Sequence, residues 1–401
     1  KLFIIDKSLI MELIVNDNML SELGKKFMTL KSASGTHSPS MLTILEKIPD
    51  LKIKVDACFL SNPYATDLFL EYFNNELLKS KKISRVLEFY PSQNSVIADL
   101  LGEHLGINPK KIFVCNGAIE AIQAVMHQFV KGKVVINIPT FSSYYEFINK
   151  DSEAVFYTLE KENTFILDPD NYISFVKKIK PNSIVIINPN NPDGGYIKYR
   201  DLKRIVEELH GIVENIIVDE SFIHFAFENS DLELKSIIQL TDEVSNLIII
   251  KSMSKDFGIA GIRAGYAVMD EEKVEQLTSN GYLWNLNGLA EYFFRLYTRT
   301  DFRNKYEEIR KKYIIETLIF ISELNKIRNI RVYPTKANFV LIEILDGRTA
   351  EEITNTLLIK YGIYVRNCSD KKGLKGQFIR LAARSASEND QVLLTFRDLF
   401  E

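Results

Sequence analysis

Short apolar runs rich in valine and isoleucine recur along the middle of the chain. They are KVVINIP near residue 135, SIVIINP near 185, NIIVDE near 217 and NLIIIKS near 248. Continuous runs of this kind are typical of strands buried on both faces. Charged stretches with helical spacing separate them, such as 201–214, where Leu202, Ile205, Val206 and Leu209 fall on one helix face. The alternation predicts an α/β fold, with a mostly parallel sheet covered by helices.

The pattern changes after Trp284. A long charged stretch with helical spacing, from Glu291 to Leu324, leads into a mixed segment that continues to the end of the chain. These features predict a connecting helix and a smaller α+β domain. At 401 residues the chain exceeds what one hydrophobic core usually serves. We predict an N-terminal arm with part of the small domain (1–60), a large domain (61–290), and a connecting helix with the small C-terminal domain (291–401).

Charged residues interrupt the apolar stretches of the first twenty residues. Asp6, Lys7, Glu12 and Asp17 leave no run long enough for a secretory core or a membrane span. We therefore predict an amphipathic helix in this segment. The chain begins with Lys1 and not with methionine, so the sequence leaves open a tag, a leader or a whole domain upstream.

Charge and cysteine content narrow the class of partner. Lys plus Arg is 50 and Asp plus Glu is 53, so the formal charge is -3 and gives no bulk electrostatic case for nucleic acid or a membrane surface. We expect a small-molecule partner.

The cysteines Cys58, Cys115 and Cys368 are odd in number and scattered, which suits a reducing compartment and predicts a cytoplasmic protein. The five histidines show no ligand spacing with cysteine or acidic partners, so we predict no metal site.

Ligands of open parallel sheets collect at the carboxyl ends of the strands. Four such ends are unusual here: CNGAIE (115–120), NPNNPDGG (188–195), DE (219–220) and KSMSK (251–255). The first opens a helix with small residues, a geometry that presents backbone N–H groups to a phosphate. Each feature alone is more often a turn, a helix cap or an exposed charge. Their order along the chain therefore carries the functional prediction.

In this order, NPNNPDGG, DESF, SMSKDFGIAGIRAGY and FIRLAAR resemble the fold-type I pyridoxal phosphate (PLP) enzymes of the class I and II aminotransferase family. The resemblance runs from about Asn62 to Arg384. It implies an aminotransferase-like fold, in which a mostly parallel sheet is flanked by helices and a smaller α+β domain is built from the N- and C-terminal segments. It also implies pyridoxal 5'-phosphate as cofactor, with Lys255 as the catalytic amine that forms an imine with the cofactor aldehyde.

The resemblance assigns further residues to the cofactor. Asp219 would pair with the pyridine nitrogen and keep it protonated, so that the ring becomes an electron sink. Asn191 would donate a hydrogen bond to the phenolic oxygen, and Phe141 would stack on the ring where the family often has tyrosine. Tyr90 matches a tyrosine that relatives extend across a dimer interface to the neighbouring cofactor phosphate, which implies a homodimer. The residues implied to hold the phosphate within the chain are Gly117, Ala118, Ser252, Ser254 and Arg263.

The substrate is expected against the C-terminal segment. By resemblance, Arg380 would hold the α-carboxylate and Arg366 a second anion. Asn62 and His37 resemble the substrate-facing entrance. The most similar subgroups are histidinol-phosphate aminotransferase and L-threonine O-3-phosphate decarboxylase, whose substrates both carry phosphate. We therefore expect a small phosphorylated amino acid or amine as substrate.

Phe222 favours the decarboxylase branch. In aminotransferases the acidic motif usually ends in tyrosine, whereas DESF ends in Phe222, as in decarboxylase-like members. We predict an α-decarboxylase of L-threonine or L-serine O-phosphate type. The alternative is an aminotransferase of histidinol-phosphate type, in which Lys255 acts as base on the α-hydrogen. A third class, the PLP-fold sensing module of a transcription regulator, is disfavoured because no clear helix-turn-helix precedes Asn62.

Overall fold

The computed structural model describes residues 21–35 and 37–401. The amphipathic helix predicted for the first twenty residues lies outside this described part. The helices are α1 (21–33), α2 (Met41–Lys47), α3 (Pro63–Phe73), α4 (Ile83–Glu88), α5 (Asn94–Leu105), α6 (Ala118–Gln128), α7 (Ser143–Glu146), α8 (Pro169–Ile179), α9 (Tyr199–Leu209), α10 (Glu271–Ser279), α11 (Gly288–Tyr297), α12 (Thr300–Leu324), α13 (Ala350–Thr356) and α14 (Ala386–Phe400). The strands are β1 (Val55–Ala57), β2 (Ile112–Cys115), β3 (Gly132–Ile138), β4 (Ser152–Thr158), β5 (Ser183–Ile187), β6 (Asn215–Asp219), β7 (Leu247–Ser252), β8 (Gly265–Val268), β9 (Ile330–Val332), β10 (Phe339–Ile344), β11 (Ile363–Asn367) and β12 (Phe378–Ala382). None of the described helices is long and apolar enough to cross a bilayer.

The larger sheet has seven strands in the order β2-β8-β7-β6-β5-β3-β4. The strands from β7 to β4 pair in parallel, and β8 is antiparallel to both of its neighbours. The four apolar runs of the sequence form β3, β5, β6 and β7, so the predicted mostly parallel sheet is confirmed. On β6, Ile216 and Val218 pack into the apolar cluster on one face and Ile217 into that on the other. Burial on both faces explains why the runs are continuous.

The helices that cover this sheet follow the predicted amphipathic pattern. On α9 the buried side chains are Leu202, Ile205, Val206 and Leu209, the face expected from the sequence. The charged stretch after Trp284 forms two helices instead of one, α11 and α12. The break falls at Arg299, whose backbone is extended and whose guanidinium binds Asp301 and Glu76.

The smaller sheet contains strands from both the N-terminal and the C-terminal part of the chain. Its five strands lie in the order β1-β11-β12-β10-β9. The N-terminal β1 pairs in parallel with β11, and the other pairings are antiparallel. The long helix α12 packs on this sheet through Tyr313, Phe320 and Leu324. The predicted fold class, including a smaller α+β unit built from both termini, is confirmed. The domain boundaries at residues 60 and 290 stay a prediction.

Parallel pairing brings three strand ends together at one edge of the larger sheet. In the register, Asp219 at the end of β6 lies opposite Ile187 of β5 on one side and Ile250 of β7 on the other. The segments that follow β5 and β7 begin at Asn188 and Met253. The motifs that the sequence places after separate strands are therefore neighbours in space.

Candidate active site

A cavity of about 370 Å³ lies at this edge, with residues of the smaller sheet on its opposite wall. Eleven of the fourteen residues singled out from the sequence line it. They are His37, Ala118, Phe141, Asn191, Asp219, Ser252, Ser254, Lys255, Arg263, Arg366 and Arg380. Residues separated by more than three hundred positions thus meet in one concave site, which is the usual form of a small-molecule pocket.

Asp219 is held in a fixed orientation at the end of β6. Its Oδ2 accepts a hydrogen bond of 2.7 Å from the hydroxyl of Tyr144, and its Oδ1 accepts one of 2.8 Å from the N–H of Ser221. Burial raises the pKa of Tyr144 well above its usual value, and the nearby Asp219 charge adds to this effect. Tyr144 therefore keeps its proton and acts as a donor to the carboxylate.

The Lys255 amine lies in the same cavity. Its Nζ donates to the hydroxyl of Ser252 at 3.3 Å and lies 5.7 Å from the ring centroid of Phe222. Burial lowers the pKa of Lys255, and Asp219 opposes this shift. The lowered pKa favours the neutral amine, which is the form that attacks a carbonyl carbon.

A set of anion donors surrounds the start of α6. Gly117 has a φ of 79°, and a Cβ at this position would collide with Nη2 of Arg263. The bare backbone therefore lets the guanidinium approach the first turn of α6, where Ala118 lines the cavity together with the hydroxyl-bearing Ser252 and Ser254. Backbone N–H groups, hydroxyls and a guanidinium are the donors that a phosphate group requires. The donor set thus fits the phosphate of PLP, while Lys255 and Asp219 fit its aldehyde and pyridine ends.

The arginines of the smaller sheet reach the opposite wall of the cavity. Arg380 donates from Nη1 to Oδ1 of Asn191 at 2.6 Å and from Nη2 to the carbonyl oxygen of Cys58 at 2.9 Å. Its Nε is buried and has no hydrogen-bond partner within the described residues. Arg366 donates from Nη2 to Asp370 at 2.5 Å and from Nη1 to Ser38 at 3.4 Å. Because Asn191 Oδ1 is engaged, its amide N–H₂ group is the end left to face a ligand.

Three of the singled-out residues do not line the cavity. Gly117 supports it from the backbone, as described above. Asn62 is fully buried and caps α3, where its Oδ1 accepts from the N–H of Tyr64, and its own N–H donates to the carbonyl oxygen of Lys255 at 2.9 Å. Tyr90 is 88% exposed and lies beside Trp284 in a surface groove. His37, by contrast, lines the cavity with its ring centroid 6.5 Å from that of Phe141.

Five polar residues of the site were not predicted from the sequence: Tyr144, Ser38, Cys58, Ser221 and Lys371. Tyr144 could have been found, since it lies three residues after Phe141 in the motif PTFSSY that follows β3. Burial lowers the pKa of Lys371, and the Arg366 charge lowers it further. The adjacent Lys372 instead places its amine 4.3 Å from the ring centroid of Phe156.

Known proteins resemble this chain in sequence and in fold. The family model for aminotransferase class I and II matches residues 63–395. The chain belongs to this family. Members of the family are PLP-dependent enzymes, and the resemblance stated from the motifs is confirmed.

Individual relatives include both decarboxylases and aminotransferases. The L-serine phosphate decarboxylase Cj1436c of Campylobacter jejuni is 55% identical over 377 residues, which cover 94% of this chain and 96% of the relative. The solved structure of a decarboxylase from Sulfurospirillum multivorans superposes with a TM-score of 0.91 at 42% identity, covering 96% of this chain and 99% of that one. The histidinol-phosphate aminotransferase of Thermoanaerobacter sp. is more distant, with 32% identity over 81% of this chain and 87% of the relative.

Proposed function

We propose that this chain is a PLP-dependent α-decarboxylase of a small phosphorylated amino acid, with L-serine O-phosphate as the favoured substrate. The observation that carries the proposal is the pairing of Arg366 and Arg380 in one cavity with Lys255. Two cationic side chains on the wall that faces a lysine and an acid match a substrate with two anionic groups around one amine. The 55% identity to an L-serine phosphate decarboxylase supports the same substrate.

The cofactor would lie between the two sheets. The Lys255 amine would attach its aldehyde, Asp219 would bind its pyridine nitrogen, and Phe141 would cover a ring face. The phosphate would be held at the start of α6 by the donors described above. When bound, PLP supplies an electron sink for the electron pair of the bond that breaks at the α-carbon.

Each anionic group of the substrate has a cationic partner in the cavity. Arg380, adjacent to Asn191, would bind the α-carboxylate and orient it. Arg366 and Lys371 would bind the substrate phosphate, with the Ser38 hydroxyl beside them. Because a phosphate carries nearly two charges, two cations on that side match it better than one.

The lysine amine would also donate the proton that replaces the carboxylate at the α-carbon. When the carboxylate leaves as carbon dioxide, its electron pair stays behind at the α-carbon. Lys255 Nζ would then deliver a proton to that carbon from its side of the site. Phe222 places an apolar ring beside this amine, with its centroid 5.7 Å from Nζ. An α-hydrogen removed by the same amine would instead give transamination, the second candidate reaction.

A homodimer is part of the proposal. The groove that contains Tyr90 is also lined by the exposed side chains of Leu87 and Phe89, and the exposed ring of Trp284 lies beside Tyr90. Clusters of exposed apolar side chains mark interaction surfaces. The opposite side of this groove includes Gly261 and Ile262, directly before Arg263 in the sequence. A second copy bound here would come close to the phosphate donors. We therefore propose that Tyr90 contacts the phosphate of the partner subunit's cofactor.

We also propose a cytoplasmic location, because the cysteines of the protein are free thiols. Cys58, Cys115 and Cys368 are each buried and free. Free thiols of this kind persist in a reducing compartment, which supports the cytoplasm.

The decisive experiment compares two products. The purified holoenzyme is incubated with L-serine O-phosphate or L-threonine O-phosphate, and carbon dioxide and the phosphorylated amine are measured. We expect equimolar release of both from the serine compound, and none from a Lys255→Ala protein. Conversion of 2-oxoglutarate to glutamate with histidinol phosphate, without carbon dioxide from either amino acid, would show an aminotransferase instead.

A further inference from the structure

A buried ion pair lies directly behind Lys255. Lys251, in β7, is 3% exposed, and Asp256 is fully buried. The Lys251 amine donates to Oδ2 of Asp256 and, at 3.1 Å, to the backbone carbonyl oxygen of Glu220. Asp256 follows Lys255 in the chain, and Glu220 follows Asp219. One buried amine therefore joins the segment of the proposed catalytic lysine to the segment of the proposed pyridine partner.

Lys251 is the cation that contacts Asp256 directly, and the charges of Lys255 and Arg310 also act on this carboxyl group. The nearby His224 has its Nδ1 3.9 Å from Oδ2 of Asp256 and 2.9 Å from the hydroxyl of Tyr306. Burial lowers the pKa of His224 well below its usual value, and the charge of Lys251 lowers it further. His224 is therefore neutral and supplies no counter-charge. The other oxygen of Asp256, Oδ1, has no hydrogen-bond partner among the residues that the structure describes.

Stability alone is a weak reason for such a pair. Two buried charges must lose their hydration, and apolar side chains of the same volume often stabilise a fold as well or better. What a buried pair does provide is a fixed geometry, because each partner has few other places to bind. Here the pair fixes the turn that follows β7. Lys255 lies in this turn, between Lys251 near the end of β7 and Asp256, which bind each other.

We propose that Lys251 and Asp256 are positioning residues for Lys255. Their hydrogen bond, together with that from Lys251 to the Glu220 carbonyl, fixes the turn against the end of β6, so that the Lys255 amine and the Asp219 carboxylate keep one separation. The inference rests on the proposed function, since that function gives Lys255 its task. It concerns neither substrate binding nor the cofactor phosphate, and it assigns a role to two residues that do not line the cavity.

The test uses substitutions that separate a hydrogen bond from a charge. Asp256→Ala and Lys251→Met remove the contact, whereas Asp256→Asn keeps an oxygen that accepts from the Lys251 amine. For the holoenzymes we expect kcat for L-serine O-phosphate to fall about tenfold or more in the first two, with KM changed less than about threefold. Asp256→Asn should retain at least about a third of kcat. The double variant Lys251→Met with Asp256→Ala should be no slower than the slower single one, because the two side chains act as a unit.

Two further measurements do not depend on turnover. In the cofactor-free proteins, hydrogen exchange of the peptide covering residues 252–259 should be faster in Asp256→Ala than in the wild type, and restored in Asp256→Asn. In the cofactor-loaded proteins, the circular dichroism band of the bound cofactor should weaken in Asp256→Ala, since it reports a fixed orientation. Neither signal should change in the control variant Glu343→Gln. Glu343, in β10 of the smaller sheet, is another buried carboxylate that binds a lysine, Lys161.

The outcomes are separable from those of the proposed function. A wild-type protein that releases no carbon dioxide contradicts the decarboxylase, while exchange and circular dichroism still test the positioning. Folded Asp256→Ala with kcat within threefold of the wild type, or a double variant whose losses multiply, overturns the inference. So does Asp256→Asn falling as far as Asp256→Ala, because charge and not the hydrogen bond would then matter. If Lys251→Met does not fold, the comparison at position 256 decides alone.

Discussion

Arg366 and Arg380 are direct cross-strand partners on the antiparallel strands β11 and β12. Like charges in such positions repel, so a sheet tolerates them only when each has its own acceptors. Arg366 has Asp370, and Arg380 has Asn191 and the carbonyl oxygen of Cys58. Burial also lowers the pKa of Arg380. The arrangement would favour a dianionic ligand, because such a ligand brings negative charge beside both guanidinium groups.

Replacing Arg366 should weaken substrate binding more than it slows the chemistry. A hydrogen bond to a charged group contributes about 1.5–3 kcal/mol, so Arg366→Ala should raise KM for L-serine O-phosphate about 10- to 100-fold. We expect a smaller loss in kcat, since the phosphate is bound equally in the ground and transition states. Steady-state kinetics measure both. Lys372→Ala is the control, because its amine lies over the Phe156 ring and not in the cavity. A KM within twofold of the wild type in Arg366→Ala would exclude this arginine from the phosphate site.

Tyr144 should matter through the carboxylate that it orients. Tyr144→Phe removes the only side-chain donor that the described residues provide to Asp219, a hydrogen bond of 2.7 Å. We expect kcat/KM to fall about tenfold and Tm to fall by a few degrees, since a buried charged acceptor loses a partner. Tyr145→Phe controls for the loss of a tyrosine hydroxyl, because the Tyr145 ring packs against Phe156 and the hydroxyl bound to Asp219 is that of Tyr144. Equal kinetics for the two variants would assign Tyr144 to packing alone.

Most of the residues singled out from the sequence line one cavity, because parallel strands fix where their ends meet. Once β5, β6 and β7 are neighbours, Asn191, Asp219 and Lys255 must come together, whatever the loops between them do. Lys371 and Lys372 show the limit of this reasoning. The two are adjacent and identical in type, and only the path of their loop directs one into the cavity and the other onto the Phe156 ring.

Lys251 is a second case in which sequence reasoning fell short. A lysine near the end of a strand is ordinarily exposed, yet Lys251 in β7 is buried because Asp256 and the Glu220 carbonyl oxygen bind its amine. These partners lie five and thirty-one residues away in the sequence, so no local sequence pattern predicts the contacts. Tyr90 is a third case, since its proposed role depends on a second chain and not on its own fold.

Gly117 should be required for cofactor retention. Alanine at this position meets two penalties: a positive φ of 79°, and a collision with the Arg263 guanidinium. We expect Gly117→Ala to bind PLP about tenfold or more weakly, because Arg263 is displaced from the phosphate donors. Equilibrium dialysis followed by absorbance measures this. Gly211→Ala is the matched control, since a Cβ there meets no atom and φ is not positive. Unchanged PLP affinity in Gly117→Ala would remove the start of α6 from the phosphate site.

The depressed pKa of Lys255 predicts a pH-dependent stability. Burial lowers this pKa from 10.5 in the folded protein, so the unfolded chain binds more protons at intermediate pH. The resulting cost to folding is fully present below the folded pKa and disappears as the pH rises through 10.5. Cofactor-free Lys255→Met should therefore be more stable than the wild type at neutral pH, and the difference should shrink toward pH 10. Denaturant unfolding at several pH values measures it. A Lys255→Met difference independent of pH would contradict the lowered pKa.

Mixed dimers should reveal whether Tyr90 acts across the subunit interface. We expect Tyr90→Phe to lose most activity, since a donor to the cofactor phosphate is removed, and Lys255→Ala to be inactive. A hybrid of these two subunits restores one site, because the subunit that keeps Lys255 receives Tyr90 from its partner. Random mixing makes about half of the dimers hybrids, so activity should recover to about a quarter of the wild-type value. Light scattering verifies the dimer in each sample. Mixtures that stay as inactive as the separate variants would mean that Tyr90 serves its own subunit or none.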